Sequence, residues 1–193
     1  TFKKASNIAL KKIFENVSKK EGFELGAGVS ELLSILADGS FRDGLGVLQK
    51  VLNFSKNKKI TTEEVEDITG APKTKLVNDF ISAIAHEDIE LGMSTVEKAG
   101  EINLDMKLFL KLIILKFRMA IILRYAPKLE DEMMGDLSEN DITFLKELVK
   151  EDKKGMLRSK ALSVLLEAYA NIDNAFIGGL PLELALIEIV SKE

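Results

Sequence analysis

Apolar residues recur at intervals of three and four along almost the whole chain, which is the period of one face of an α-helix. Leu10, Phe14 and Val17 set this pattern, and it returns after each short polar or glycine-containing break. Apolar and polar residues seldom alternate one by one, as they would along a half-buried strand. The pattern predicts an all-α protein with helices over 6–20, 28–37, 40–53, 61–69, 74–86, 88–99, 104–125, 138–150, 156–176 and 180–190.

The helix predicted over 40–53 has a well-marked start. The Ser40 hydroxyl can accept a hydrogen bond from the first-turn amides, and the Asp43 carboxylate is placed to reach back to the cap. Behind the cap the residues separate into an apolar face and a polar face. The apolar face is predicted to hold Phe41, Leu45, Leu48 and Leu52, with Val47 and Val51 beside them, and the polar face to hold Arg42, Gln49 and Asn53.

Arg42 conflicts with its local environment. It lies in the first turn of the predicted helix, where the positive end of the helix macrodipole disfavours a cation. Local conflicts of this kind tend to occur at functional sites. An arginine beside free first-turn amides is well placed to bind an anion such as phosphate. The alternative is a surface arginine that pairs with Asp38 or Asp43.

The composition is that of a globular protein large enough for one large or two small domains. The chain has 193 residues, of which 46% are hydrophobic and 30% charged, and its net charge is −4. Without cysteine it has no disulfides or thiolate metal ligands, in agreement with a cytoplasmic protein. The single histidine, His86, excludes a multi-histidine metal site, and we expect it to be exposed at a helix C-terminus. Lysines are scattered among acidic residues, without a basic stripe for nucleic acid.

Residues 37–43, Ala-Asp-Gly-Ser-Phe-Arg-Asp, form a motif. This motif resembles the sensor-2 segment of bacterial DNA polymerase III gamma/tau subunits, the AAA+ motor subunits of the clamp loader. In that family one helix ends in Ala-Asp-Gly-Ser, and a hydrophobic residue followed by Arg-Asp-Ala opens the next. The resemblance implies that Arg42 contacts the terminal phosphates of ATP, and that Phe41 lies beside the nucleotide. Gly44 stands where the family usually has alanine, and Gly46 is a second glycine in the same helix.

Gly70-Ala71-Pro72 interrupts the helical pattern and predicts a domain boundary. Residues 1–70 resemble the lid domain of the gamma/tau family. Residues 72–193 end in a leucine-rich helix over 180–189 that resembles the end of the family's collar domain. The resemblance implies that 72–193 assembles with other clamp-loader subunits, and that the whole complex acts on the sliding clamp and primed DNA. It also implies that an ATP-binding domain absent from this chain precedes the lid in the parent subunit, where ATP and Mg²⁺ are bound.

Residues 104–125 are the most apolar stretch of the chain. Lys107, Lys111 and Arg118 share one narrow stripe of the predicted helix, and nearly every other position is apolar. A charge every few residues argues against a membrane span. We therefore expect a helix that is buried on most sides, either in the core of a bundle or against a neighbouring subunit.

The chain lacks the residues of a complete enzyme. It contains no Gly-x-x-x-x-Gly-Lys-Ser/Thr loop and no acidic motif for magnesium, so we expect the fragment itself to bind no cofactor. It also contains no set of residues for nucleophilic catalysis. The sequence thus favours a lid-plus-collar fragment of a gamma/tau-like subunit. The alternatives are an archaeal-type small clamp-loader subunit and a helical scaffold or adaptor, such as a non-hydrolysing clamp-loader relative.

Overall fold

The computed structural model of the protein describes residues 6–129 and 137–191. The described chain is built from α-helices, which confirms the predicted all-α class. It divides into two compact units, the first with described residues 6–70 and 137–142 and the second with described residues 71–129 and 143–191. The helices are α1 (Asn7–Lys20), α2 (Val29–Leu36), α3 (Phe41–Phe54), α4 (Thr62–Thr69), α5 (Thr74–His86), α6 (Ile89–Glu101), α7 (Met106–Tyr125), α8 (Glu139–Glu151), α9 (Ser159–Asn171) and α10 (Leu180–Val190).

Two short strands in the first unit were not predicted. The strand β1 (Glu24–Leu25) follows α1 and pairs in parallel with β2 (Lys59–Ile60), and both strands lie between predicted helices. The amide of Gly26 extends the pairing, because it donates to the Ile60 carbonyl at 2.9 Å. Strands of this length have no apolar period, so the sequence pattern could not reveal them. The backbone pairing of these strands joins the segment after α1 to the segment before α4.

The first unit is packed around Phe14, which has no exposed surface. Helices α1, α2 and α3 all contact one another. The side of α3 that faces this core differs from the predicted one. Gly44, Leu48 and Val51 are buried, whereas Phe41 remains exposed. The reason is that Phe14 occupies the space over Gly44: a Cβ atom on Gly44 would lie 2.7 Å from its Cζ atom. The bulky ring is thus accommodated by a glycine in the facing helix.

The second unit is organised around α7, which packs against α5 and α9. The prediction that this helix is largely buried is confirmed, and the helices that cover it belong to the same unit. Its charged stripe is partly used in pairing: Lys107 donates to the carboxylate of Asp173, and this hydrogen bond raises the pKa of Lys107. The core residues of α7 are Phe109, Leu110, Ile113, Phe117 and Ala120.

None of the helices within the described residues has the length and hydrophobicity that a membrane span requires.

The helix predicted over 156–176 is shorter in the structure. Helix α9 begins at Ser159, because the amides of Met156 and Leu157 donate to the Asp152 carboxylate at 2.8 and 2.7 Å instead of joining the helix. After Asn171 the chain tightens into a 3₁₀ turn (Ile172–Asn174). The buried Asp152 side chain also pairs with Arg124 of α7 at 2.8 Å. The start of this helix is thus set by the Asp152 carboxylate, which accepts from amides four and five residues later in the chain.

The predicted exposed position of His86 is confirmed, and short-range features mark the starts of α6 and α10. His86 is exposed in the last turn of α5, and its Nε2 lies 3.2 Å from a carboxylate oxygen of Glu151. Asp88 caps α6 by accepting from the amide of Leu91 at 2.9 Å. Pro181 occupies the first turn of α10. The loop predicted over 126–137 falls largely outside the described residues.

Candidate functional site

The turn between α2 and α3 determines where Arg42 lies. Asp38 and Gly39 both adopt positive φ angles, 44° and 81°, which reverse the chain within two residues. The amide of Ser40 then donates to the Ala37 carbonyl at 2.9 Å, and Ser40 itself is extended. Glycine takes the left-handed conformation without strain, and aspartate is among the residues that tolerate it best. The Ala-Asp-Gly-Ser sequence therefore suits this turn.

Ser40 caps α3 as predicted: its hydroxyl accepts from the amide of Asp43 at 3.2 Å. The reciprocal bond, in which the Ser40 amide would donate to the Asp43 carboxylate, does not form, because that amide donates to the Ala37 carbonyl instead. The cap satisfies one of the amides that a helix leaves free at its start. The remaining free amides and the macrodipole make this end of α3 attractive to an anion.

Arg42 is exposed in the first turn of α3. Within residues 6–129 and 137–191 it makes no ion pair and no side-chain hydrogen bond, so neither Asp38 nor Asp43 holds it in the way the alternative interpretation required. A guanidinium group presents several donors in a planar fork that matches a phosphate. The geometry leaves that fork available to an external ligand.

Apolar surface adjoins Arg42. Phe41 is 42% exposed and Leu45, one turn later, is 37% exposed, although the sequence assigned both to the core. Exposed apolar side chains next to an arginine offer contact area as well as charge. The described residues contain no group of histidine, cysteine, aspartate or glutamate arranged to hold a metal ion. The site thus presents a guanidinium group and exposed apolar side chains at the start of a helix.

Gly46 is a further feature of this surface. It is exposed, and a Cβ atom built on it would meet no described atom within 4 Å beyond its chain neighbours and the adjoining backbone of α3. It therefore differs from Gly44, whose missing side chain is required by Phe14. In the sequence both glycines are simply residues of low helix propensity in the same predicted helix. Only the structure separates the packed glycine from the open one.

Exposed apolar residues also occur in the second unit. Within α7, which the sequence predicted to be buried in a bundle or against a neighbouring subunit, only Arg118 and Tyr125 are largely exposed. Phe176, which follows α9 in the chain, is 99% exposed. Isolated apolar residues are common on surfaces, whereas clusters mark interaction sites. Further exposed apolar residues that follow Phe176 in the chain are Ile177, Leu184 and Ile187.

The chain is similar in sequence to known proteins. No protein-family model matches the sequence. The chain is 26% identical over 110 residues to the DNA polymerase III subunit gamma/tau of Mycoplasma genitalium, a match that covers 57% of this chain and 18% of that protein. It is 35% identical over 65 residues to the same subunit of Mycoplasma pneumoniae, covering 34% of this chain and 10% of that protein. The matched segments thus span less than a fifth of either relative.

The fold resembles that of the DNA clamp loader delta protein of Bacillus subtilis. The TM-score is 0.50 at 15% sequence identity, and the match covers 99% of this chain and 58% of that protein. The sequence similarity and the shared fold together relate this chain to the clamp-loader proteins of DNA replication. The sequence relatives are gamma/tau subunits and the structural relative is a delta protein, so the likeness extends to two different clamp-loader proteins.

Proposed function

We propose that this chain is the lid and collar part of a gamma/tau-like subunit of bacterial DNA polymerase III. The observation that carries the proposal is the exposed Arg42 at the capped start of α3, in a chain similar in sequence to gamma/tau subunits. An arginine with no partner among the described residues, beside free helix amides, is suited to a nucleotide phosphate. Residues 1–70 would form the lid and residues 72–193 the collar.

In this proposal Arg42 binds a terminal phosphate and thereby holds the lid closed. A hydrogen bond to a charged group contributes about 1.5–3 kcal/mol. A contact of that size would shift an open–closed equilibrium by roughly ten- to a hundredfold. ATP, with Mg²⁺, would supply the phosphates and the energy of hydrolysis in the intact subunit. The described residues fit the phosphate through Arg42, and the magnesium ligands would come from the preceding nucleotide-binding domain.

The proposed partners follow from the same assignment. Residues 72–193 would assemble with other clamp-loader subunits, and their exposed apolar residues, among them Phe176, Ile177, Leu184 and Ile187, are suited to that contact. The sliding clamp and primed DNA would be engaged by the complete complex. Opening the clamp and placing it on primed DNA would then depend on the closed, ATP-bound lid.

The test is Arg42→Ala in the full-length protein that contains this chain. Lys50→Ala is the matched control, because Lys50 is an exposed cation near the other end of the same helix. We expect Arg42→Ala to weaken nucleotide affinity by roughly ten- to a hundredfold while the melting temperature stays unchanged or rises slightly. Lys50→Ala should alter neither quantity.

Two outcomes would contradict the proposal. A sharply lower melting temperature with unchanged nucleotide affinity would make Arg42 a structural residue. A full-length protein without a phosphate-binding loop would favour the second candidate, a helical scaffold subunit of the clamp loader. The fold match to a delta protein over 99% of the chain is the observation that favours this candidate. A scaffold subunit would still assemble with other clamp-loader subunits after the Arg42→Ala change.

A further inference from the structure

Helix α3 contains two glycines, and the structure accounts for only one of them. Gly44 is buried beneath Phe14, where any side chain would collide with the ring. Gly46 is exposed, and apart from its chain neighbours and the adjoining backbone of α3 itself, no atom of the described chain lies within 4 Å of the place its Cβ would occupy. Apart from proline, glycine is the residue that least favours a helix interior. Nothing inside the first unit explains why a larger residue is not present at position 46.

Gly46 lies on the same exposed side of α3 as Arg42. Four residues correspond to a rotation of about 40° and a rise of about 6 Å along a helix, so the two positions are neighbours on adjacent turns. A molecule large enough to cover the Arg42 guanidinium from above the helix therefore also passes over Gly46. Glycine is typical of positions where another surface must approach the backbone closely.

We propose that Gly46 is a positioning residue, and this proposal rests on the function proposed above. Its missing side chain lets the ATP-bound nucleotide-binding domain of the parent subunit approach α3 closely enough for Arg42 to reach the phosphate. A methyl group at position 46 holds that domain away from the helix backbone, and a larger side chain holds it farther away. Arg42 is then intact but too distant from its ligand. The occupant of this surface is thus the nucleotide-binding domain with its bound ATP.

The exposed Gly100 provides the contrast. It also lies in a helix, with only Met106 near its Cβ position, at 3.7 Å. It is the second-last residue of α6, where a helix frays and a glycine is readily tolerated. Gly46 is in the middle of α3, with residues of the helix on both sides. The end of a helix therefore explains Gly100 and does not explain Gly46.

The experiment compares Gly46→Ala and Gly46→Leu in the full-length protein, with Gly100→Ala as the matched control. The measurements are the melting temperature, the affinity for ATP, and kcat and KM for ATP hydrolysis. Helix propensity predicts that the melting temperature rises in all three variants. A displacement of about 1 Å at a reacting site can lower activity by about a hundredfold. We therefore expect ATP affinity to fall about tenfold for alanine and further for leucine, with a rise in KM, whereas Gly100→Ala keeps the wild-type values.

The outcomes separate this inference from the proposed function. If Arg42→Ala weakens ATP binding but the Gly46 variants bind ATP as the wild type does, the inference is wrong and the proposed function stands. If neither Arg42→Ala nor the Gly46 variants change ATP affinity, both are wrong. A lower melting temperature in Gly46→Ala would show that position 46 is constrained by folding, and would also overturn the inference.

Discussion

Replacing Gly44 by alanine should destabilise the first unit, although alanine is the better helix former. The added Cβ would lie 2.7 Å from Phe14 Cζ, 2.9 Å from Ala37 Cβ and 3.0 Å from Phe14 Cε1. Phe14 has no exposed surface and Ala37 is only 2% exposed, so neither can move aside into solvent. Relief would require a shift of the ring or of α3 as a whole.

The magnitude follows from two opposing effects. Forcing one methyl group into a packed core costs about 1–3 kcal/mol. Replacing glycine by alanine in a helix interior gains up to about 1 kcal/mol. The expected net change is a loss of roughly 1–2 kcal/mol in the free energy of unfolding. Gly46→Ala carries the same propensity gain without the collision, so it should stabilise the same helix by up to about 1 kcal/mol.

The assay is denaturant unfolding followed by circular dichroism, with hydrogen exchange of α1–α3 amides to assign the effect to the first unit. A double-mutant cycle with Phe14→Leu tests the cause. If the ring is responsible, the double variant is more stable than the sum of the single changes predicts, by about 0.5–3 kcal/mol. A Gly44→Ala protein more stable than the wild type, or an additive cycle, would refute the reasoning.

Three further predictions concern the second unit. Asp152→Ala should lower the free energy of unfolding by about 3–5 kcal/mol, because it removes the buried carboxylate that pairs with Arg124 and accepts from the amides of Met156 and Leu157. Thermal unfolding measures this loss, and a loss below about 1 kcal/mol would contradict the prediction. Gly92→Ala should lower the free energy of unfolding by about 1–3 kcal/mol, because the added Cβ would collide with the fully buried Leu186. An unchanged stability in the same assay would contradict this and would mean that α10 moves aside freely. Phe176→Asp should leave the melting temperature unchanged but weaken assembly with clamp-loader subunits, by roughly thirtyfold if Phe176 is a central contact. Light scattering and affinity measurements test this, with the exposed Ile8→Asp as control, and equal affinity in the two variants would contradict it.

The helices of this protein could be predicted from the sequence because each one is marked locally. An apolar period of three to four residues requires only that one face be buried, and caps such as Ser40 and Asp88 depend on neighbours within three residues. The turn before Arg42 is equally local, since Ala-Asp-Gly-Ser suits its two left-handed residues. Both the all-α class and the position of the candidate site at the start of a helix therefore follow from short-range physics.

Tertiary contacts decided what the sequence could not. The ring of Phe14 turned the buried face of α3 toward Gly44 and left Phe41 on the surface, a choice that depends on a residue 30 positions away in the chain. The Arg124–Asp152 ion pair joins α7 to the segment that precedes α9, and pairing between distant segments formed two strands too short to show a pattern. These features arise from side chains that meet only after folding, whereas an apolar period records only that some face is buried and not what covers it.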